Sequence, residues 1–183
     1  MVNFKIIILG RNDADKLERC LKSLETQTYT NYDVCIIDDA TYPNIMKKQG
    51  IQAGNREDYQ KIAMKYCNKY DRWVLKVNPE RKWGALNHLQ AVNILDCKDE
   101  DVIVDLDADD YLYSSKSLEI VALHYQDPNI WMTYGSHIRL SDLKVYPRSI
   151  RQNFDKFYTE RYKNTVDTLL EYDLEEIKNP YDY

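Results

Sequence analysis

The stretch FKIIILGRNDADKLERCLKSLETQTYTNYDVCIIDDAT, residues 4–41, switches between two kinds of hydrophobic pattern, and that switch decides the fold. Residues 4–9 form a short, β-rich apolar run. After Asp13, a capping residue type, Leu17, Cys20, Leu21 and Leu24 recur at i, i+3, i+4 and i+7, the stripe of an amphipathic helix. Residues 34–37 make a second apolar run of strand length that ends on Asp38-Asp39. The segment therefore reads as a strand, a helix and a second buried strand.

The rhythm continues beyond it. A polar loop containing Pro43 and Gly50 precedes a helix with Tyr59, Ile62, Ala63 and Tyr66 on one face, and residues 73–77 form a third strand. Leu86, Leu89 and Val92 mark another helix, residues 102–106 a fourth strand, and Ser115 caps a helix that aligns Leu118, Val121, Ala122 and Tyr125. Asp127-Pro128 stops that helix. Four strand–helix pairs in succession predict an α/β fold: a mostly parallel, Rossmann-like sheet flanked by helices. After Pro128, IWMTYGSHIRL and KVYP flank a turn-like SDL and predict two short antiparallel strands. A helix is expected over residues 166–177. No repeat, low-complexity segment or linker interrupts the chain. It reads as one domain, 1–183, with a ligand-binding half over 1–110 and a smaller half over 111–183.

Composition narrows the function. The net charge of −5, from 30 acids and 25 bases, argues against a nucleic-acid partner, which would usually favour a basic chain. Four widely spaced cysteines, Cys20, Cys35, Cys67 and Cys97, lie inside apolar-periodic segments and read as core residues of a reduced protein. No run approaches the roughly 18 apolar residues of a transmembrane segment, and the opening apolar run is too short for a signal sequence. No asparagine opens an Asn-x-Ser/Thr sequon. A soluble, cytoplasmic protein is expected. The 16 tyrosines include side chains able to stack on sugar or base rings.

In open α/β sheets the ligand crevice lies beyond the carboxyl ends of the strands. Three polar groups land there: Gly10-Arg11-Asn12, Asp38-Asp39, and the acidic run in DVIVDLDADDYL, residues 101–112. On an extended strand Asp107 and Asp109 share a face roughly 7 Å apart. Such a pair suits Mn2+ or Mg2+, hard cations commonly held by one or two carboxylates together with substrate phosphates.

Other uses of the run are open at this point. An EF-hand starting at Asp105 would have Asp110 where glycine is needed and Lys116 where glutamate is needed. The run also resembles the first motif of haloacid-dehalogenase-like phosphatases, which would make Asp105 a nucleophile and Asp107 an acid/base. That family usually has Gly-Thr where this chain has Ala108-Asp109, and its motif normally opens the domain. A solvated acidic turn with no ligand leaves unexplained why Asp38-Asp39 fall at the end of a neighbouring strand.

The ordered set FKIIILGRNDADKLERCLKSLETQTYTNYDVCIIDDAT, GALNHLQAVNIL and VDLDADDYLY resembles family 2 glycosyltransferases of GT-A fold, over residues 4–135. The resemblance implies a metal-dependent enzyme that moves a sugar from a nucleotide-diphosphate sugar, a UDP-sugar foremost, to a saccharide or other hydroxyl acceptor with inversion. It implies that Leu9, Arg11 and Asp39 hold base and ribose with Asp38 beside them, and that Asp107 contacts ribose or metal. Asp109 would coordinate Mn2+ or Mg2+, and Lys82 would contact phosphate. The catalytic base falls among Glu171, Asp173, Glu175 and Glu176, with Asp173 the choice; His137 would line the acceptor side or reach the metal. Two departures stand out: Leu9-Gly10-Arg11-Asn12 replaces the frequent Pro-Thr-Tyr-Asn, and Ala40-Thr41 replaces Gly-Ser, a milder change. A non-catalytic nucleotide-sugar-binding module is the alternative outside enzymes.

Overall fold

The computed structural model describes residues 1–43 and 55–139, together with the backbone of short strands at 46–48, 51–53 and 144–146. Contacts divide the chain into two units, Met1–Trp131 and Met132–Tyr183. In the first unit β1 (Phe4–Gly10), β2 (Tyr32–Asp38), β5 (Trp73–Val77) and β6 (Val102–Asp107) form one sheet in the order β5-β2-β1-β6. Every pairing in it is parallel. The sheet is thus the doubly wound kind that the strand–helix alternation predicts.

Its helices follow from handedness. Right-handed crossovers place helices on one face while the strand order runs one way and on the other once it reverses. Residues at even positions of β1 and β2, namely Phe4, Ile6, Ile8, Val34 and Ile36, pack with α1 (Ala14–Glu25), α2 (Arg56–Cys67) and α4 (Ser117–His124). The odd positions Ile7, Cys35 and Ile37 meet Ala91 and Leu95 at α3 (Trp83–Ile94). Strand order reverses between β1 and β6, so the ends of those two strands frame the crevice.

Several local expectations are corrected. The loop after β2 carries a hairpin, β3 (Met46–Lys48) antiparallel to β4 (Ile51–Ala53), too short to show a period. Asp13 occupies the N-cap position of α1 without bonding the helix; its carboxylate instead accepts the Arg11 N–H at 3.1 Å. Lys116, not Ser115, sits at the N-cap of α4. In α3 the buried residues are Asn87 and Ala91, while Leu86 and Leu89 stay 54% and 62% exposed. Apolar and polar residues are distributed around α3 without a single apolar face, and Asn87 fixes the rotation by accepting from Asn78 on the loop after β5.

The cysteines form no disulfide, and burial pushes the Cys20 and Cys35 thiols up to about 12. Among the described residues no helix is long and apolar enough to cross a membrane. In the second unit β7 (His137–Arg139) pairs antiparallel with β8 (Lys144–Tyr146), as expected of the segments around SDL. The helix expected over 166–177 lies outside the described residues, as does Asp173.

Candidate functional site

A cleft opens at the carboxyl end of the sheet, lined by Leu9, Gly10, Arg11 and Asp13 on one side, Asp39 at its base, Arg81, Trp83, Gly84 and Asn87 from the start of α3, and Asp107 with Asp109 from β6 and its loop. Of the residues singled out in the sequence, Leu9, Arg11, Asp39, Asp107 and Asp109 come together here. Asp38 and Lys82 are not in the lining; His137 belongs to the second unit.

Asp39 organises the base of the cleft. Its Oδ1 accepts the Lys82 N–H at 2.7 Å and the Asn78 amide at 3.0 Å; its Oδ2 accepts the Trp83 N–H at 3.1 Å. Burial would raise its pKa, but these donors outweigh it and hold the carboxyl below the usual range. A charged carboxylate over the first N–H groups of α3 also offsets the positive end of the helix. The Asn87 amide likewise holds the Asp39 pKa down, so most of the roughly four acceptor positions of the carboxylate are engaged by the protein.

Asp38 does different work. It is fully buried, and its Oδ1 accepts the Thr41 N–H at 2.8 Å, closing the turn out of β2. Between the two turns Asn12 donates its N–H to Thr41 Oγ1, and its side-chain oxygen accepts the Tyr42 N–H. Ala40 adopts φ 59° in this turn, the left-handed region that favours glycine. The change from Gly-Ser to Ala40-Thr41 is therefore not mild: it carries backbone strain beside the site.

Lys82 bonds Asp39 through its backbone N–H, and the guanidinium side chains at the cleft are those of Arg11 and Arg81. Arg11 lays its guanidinium over the Tyr42 ring, 4.5 Å from the centroid, and its buried Nε has no hydrogen-bond partner among the described residues. Arg81 lies over the Trp83 ring at 3.4 Å. Asn78, Asn87, Arg81 and Trp83 went unread in the sequence as site residues. The available signal was position: Asn78 follows β5 as Asp39 follows β2.

The acidic side is electrostatically loaded. Partial burial, then repulsion from Asp105, Asp109, Asp110 and Asp13, pushes the Asp107 carboxyl above its ordinary value. Burial and Asp109 act likewise on Asp13, against the Arg11 N–H. Asp109 meets Lys16 at 3.4 Å. No group of three or more His, Cys, Asp or Glu among the described residues forms a metal cage. A Mg2+ or Mn2+ site completed by substrate phosphates and water needs only one or two carboxylates. Two hard oxygen donors at the mouth of the cleft, one of them strained by like charge, fit that requirement.

Asp105 stands apart from the cleft lining. Its side chain receives His88 Nε2 at 2.9 Å, while His88 Nδ1 bonds the Gly84 carbonyl at 2.8 Å. Both partners are acceptors, so both ring nitrogens must donate. Burial opposes the imidazolium, but these two bonds prevail and raise the His88 pKa.

This arrangement defines a class: an α/β, Rossmann-like fold, here with a crevice at its topological switch point, and the fold is shared with proteins solved in complex with nucleotide-sugars. Residues 1–349 of TarS from S. aureus, solved in complex with UDP-GlcNAc, superpose with TM-score 0.53 at 18% identity, covering 69% of this chain and 32% of that one. The mannosyltransferase PcManGT from Pyrobaculum calidifontis, in complex with GDP-Man and Mn2+, superposes with TM-score 0.54 at 17% identity, covering 70% of this chain and 33% of that one. The chain thus spans about a third of the length of these two structures. No protein-family profile and no curated protein matches the sequence.

Proposed function

We propose that the chain carries the donor-binding half of a glycosyltransferase of the GT-A, family 2 kind, using Mn2+ or Mg2+ and a nucleotide-diphosphate sugar, with a UDP-sugar the foremost candidate. The observation that carries the reading is the convergence of Asp39, Arg11, Asp107 and Asp109 on one crevice at the β1–β6 switch point. The complexes of its structural neighbours with UDP-GlcNAc and with GDP-Man and Mn2+ support it.

Each residue has a part. Asp39 takes a ribose hydroxyl or a base N–H. Leu9 and Arg11 wall the base. Asp107 and Asp109 would hold the cation, which would supply Lewis-acid stabilisation of charge on the nucleotide diphosphate. The acceptor hydroxyl of a saccharide or similar molecule attacks the anomeric carbon opposite that leaving group, inverting it. A carboxylate takes the hydroxyl proton; Asp173 remains the proposed base. The phosphatase reading loses ground because Asp105, its nucleophile, lies two residues before the end of β6 and is tied to His88.

Calorimetric titration of UDP, GDP and their sugar conjugates, with Mn2+ or with chelator, tests the reading. Binding that needs the metal is expected; no binding to folded protein would remove the donor site. Lys16→Met should raise the affinity for Mn2+ alone by up to about 5-fold, the scale of an exposed ion pair, by freeing Asp109. An unchanged Mn2+ titration would show that Lys16 does not compete for that carboxylate.

A further inference from the structure

Trp83 is held in a costly way. A bulky residue at φ 64° is a backbone outlier, and such strain persists where the surroundings enforce it, often at ligand clamps. Here Asp39 enforces it by accepting the Trp83 N–H. The indole is nonetheless 62% exposed and lines the cleft. Burial therefore gives no reason for a tryptophan at this position.

The rest of the cleft supplies one. Arg81 packs on the Trp83 ring at 3.4 Å, which steadies the indole and leaves further ring surface open. Arg11, also in the lining, lies over the Tyr42 ring, and its buried Nε has no hydrogen-bond partner among the described residues. A planar, hydrogen-bonding heteroaromatic ligand suits both walls: indole for its π-face, guanidinium for its ring oxygens or nitrogens.

We infer that Trp83 is the stacking platform for the nucleobase of the donor. This rests on the donor-site reading above, and the test separates the two.

Trp83→Gly removes the ring and suits the positive φ, so the backbone that feeds Asp39 is kept. Stacking on an aromatic side chain contributes about 1–3 kcal/mol per base, so UDP or GDP affinity in the presence of Mn2+ should fall about 5- to 150-fold. Binding of inorganic pyrophosphate with Mn2+ should stay within about 2-fold of the wild type, since it has no base to lose. Trp83→Phe should restore most of the nucleotide affinity. A second measurement leaves Trp83 in place: in Trp131→Phe protein the remaining tryptophans are buried Trp73 and exposed Trp83, and added UDP or GDP should quench the exposed emission. Wild type that binds no nucleotide would overturn the donor site itself. Equal nucleotide affinity in Trp83→Gly, an equal loss for pyrophosphate, or nucleotide binding without quenching would each overturn the platform while leaving the donor site standing.

Discussion

Asp109→Ala should yield folded protein whose nucleotide binding no longer responds to Mn2+, with the metal-supported affinity at least about 100-fold weaker. Loss of residues that merely orient metal ligands typically costs 10–100-fold, and a direct carboxylate ligand counts for more. Asp107→Asn should lose metal-supported binding similarly, and it adds a second readout. In the folded protein the Asp107 carboxyl sits above its ordinary value because of burial and its acidic neighbours. A raised carboxylate favours folding below the ordinary carboxylate range and loses that contribution as pH rises through the folded-state value. At neutral pH the ionised group therefore costs stability, and a neutral amide of the same shape removes the cost.

Metal-free Asp107→Asn should thus melt higher than metal-free wild type at pH 7, by up to about 4 °C, with the gap closing as pH falls through the titration of Asp107. Calorimetry with Mn2+ and thermal scans with chelator check the two halves independently. A variant that binds nucleotide as before would remove Asp107 from the cation site. A variant that melts lower would mean that the carboxylate is stabilised by something other than an absent cation. Asp105→Ala is the contrasting substitution: its carboxylate faces His88 outside the lining, so metal-supported binding should persist.

Much of this was legible in the chain because parallel α/β folds write their topology in hydrophobic period. The runs at 4–9, 34–37, 73–77 and 102–106 became β1, β2, β5 and β6, and topology alone brought Asp39, Asp107 and Asp109 to one end of the sheet. What stayed illegible depends on side-chain direction and backbone torsion. Asp38 and Asp39 are adjacent and chemically identical, yet one closes a buried turn and the other accepts N–H groups at the start of α3, because successive residues at the end of a strand point to opposite sides. The lining by Arg81 and the indole of Trp83, on either side of Lys82, likewise has no signal in the hydrophobic pattern. The exposure of Leu86 and Leu89 follows from Asn87 seeking Asn78, a polar pairing that no periodicity encodes.

Two glycines at the same cleft should respond oppositely to alanine. At Gly10, the last residue of β1, a Cβ would come 2.2 Å from the Tyr59 hydroxyl, 2.6 Å from Ala108 Cβ and 2.9 Å from Tyr59 Cε2. Tyr59 is fully buried and its hydroxyl bonds the Ile37 carbonyl at 3.3 Å, so the ring has nowhere to retreat. Ala108 is the first residue beyond β6, and its N–H bonds the Leu9 carbonyl at 2.9 Å. Accommodation therefore has to part the ends of β1 and β6, between which the cleft is built. Overpacking of this kind costs typically 1–3 kcal/mol, and with two unyielding neighbours the upper end applies. A chain of this size should lose about 6–12 °C in Tm. Nucleotide affinity should fall with it, because Asp107 is the last residue of β6 and the Asp39 N–H bonds the Gly10 carbonyl at 2.9 Å. Adding Tyr59→Phe removes the 2.2 Å clash but not the contact at 2.6 Å, so recovery should be partial. At Gly84, in the first turn of α3, a Cβ meets nothing within 4 Å. Gly84→Ala there should gain about 0.5–1 kcal/mol from helix propensity and melt slightly higher. Thermal melts of the three variants decide it: a Gly10→Ala protein within about 1 °C of wild type would mean that the end of β1 is not packed against Tyr59, and that the floor of the cleft is looser than the contacts around Gly10 require.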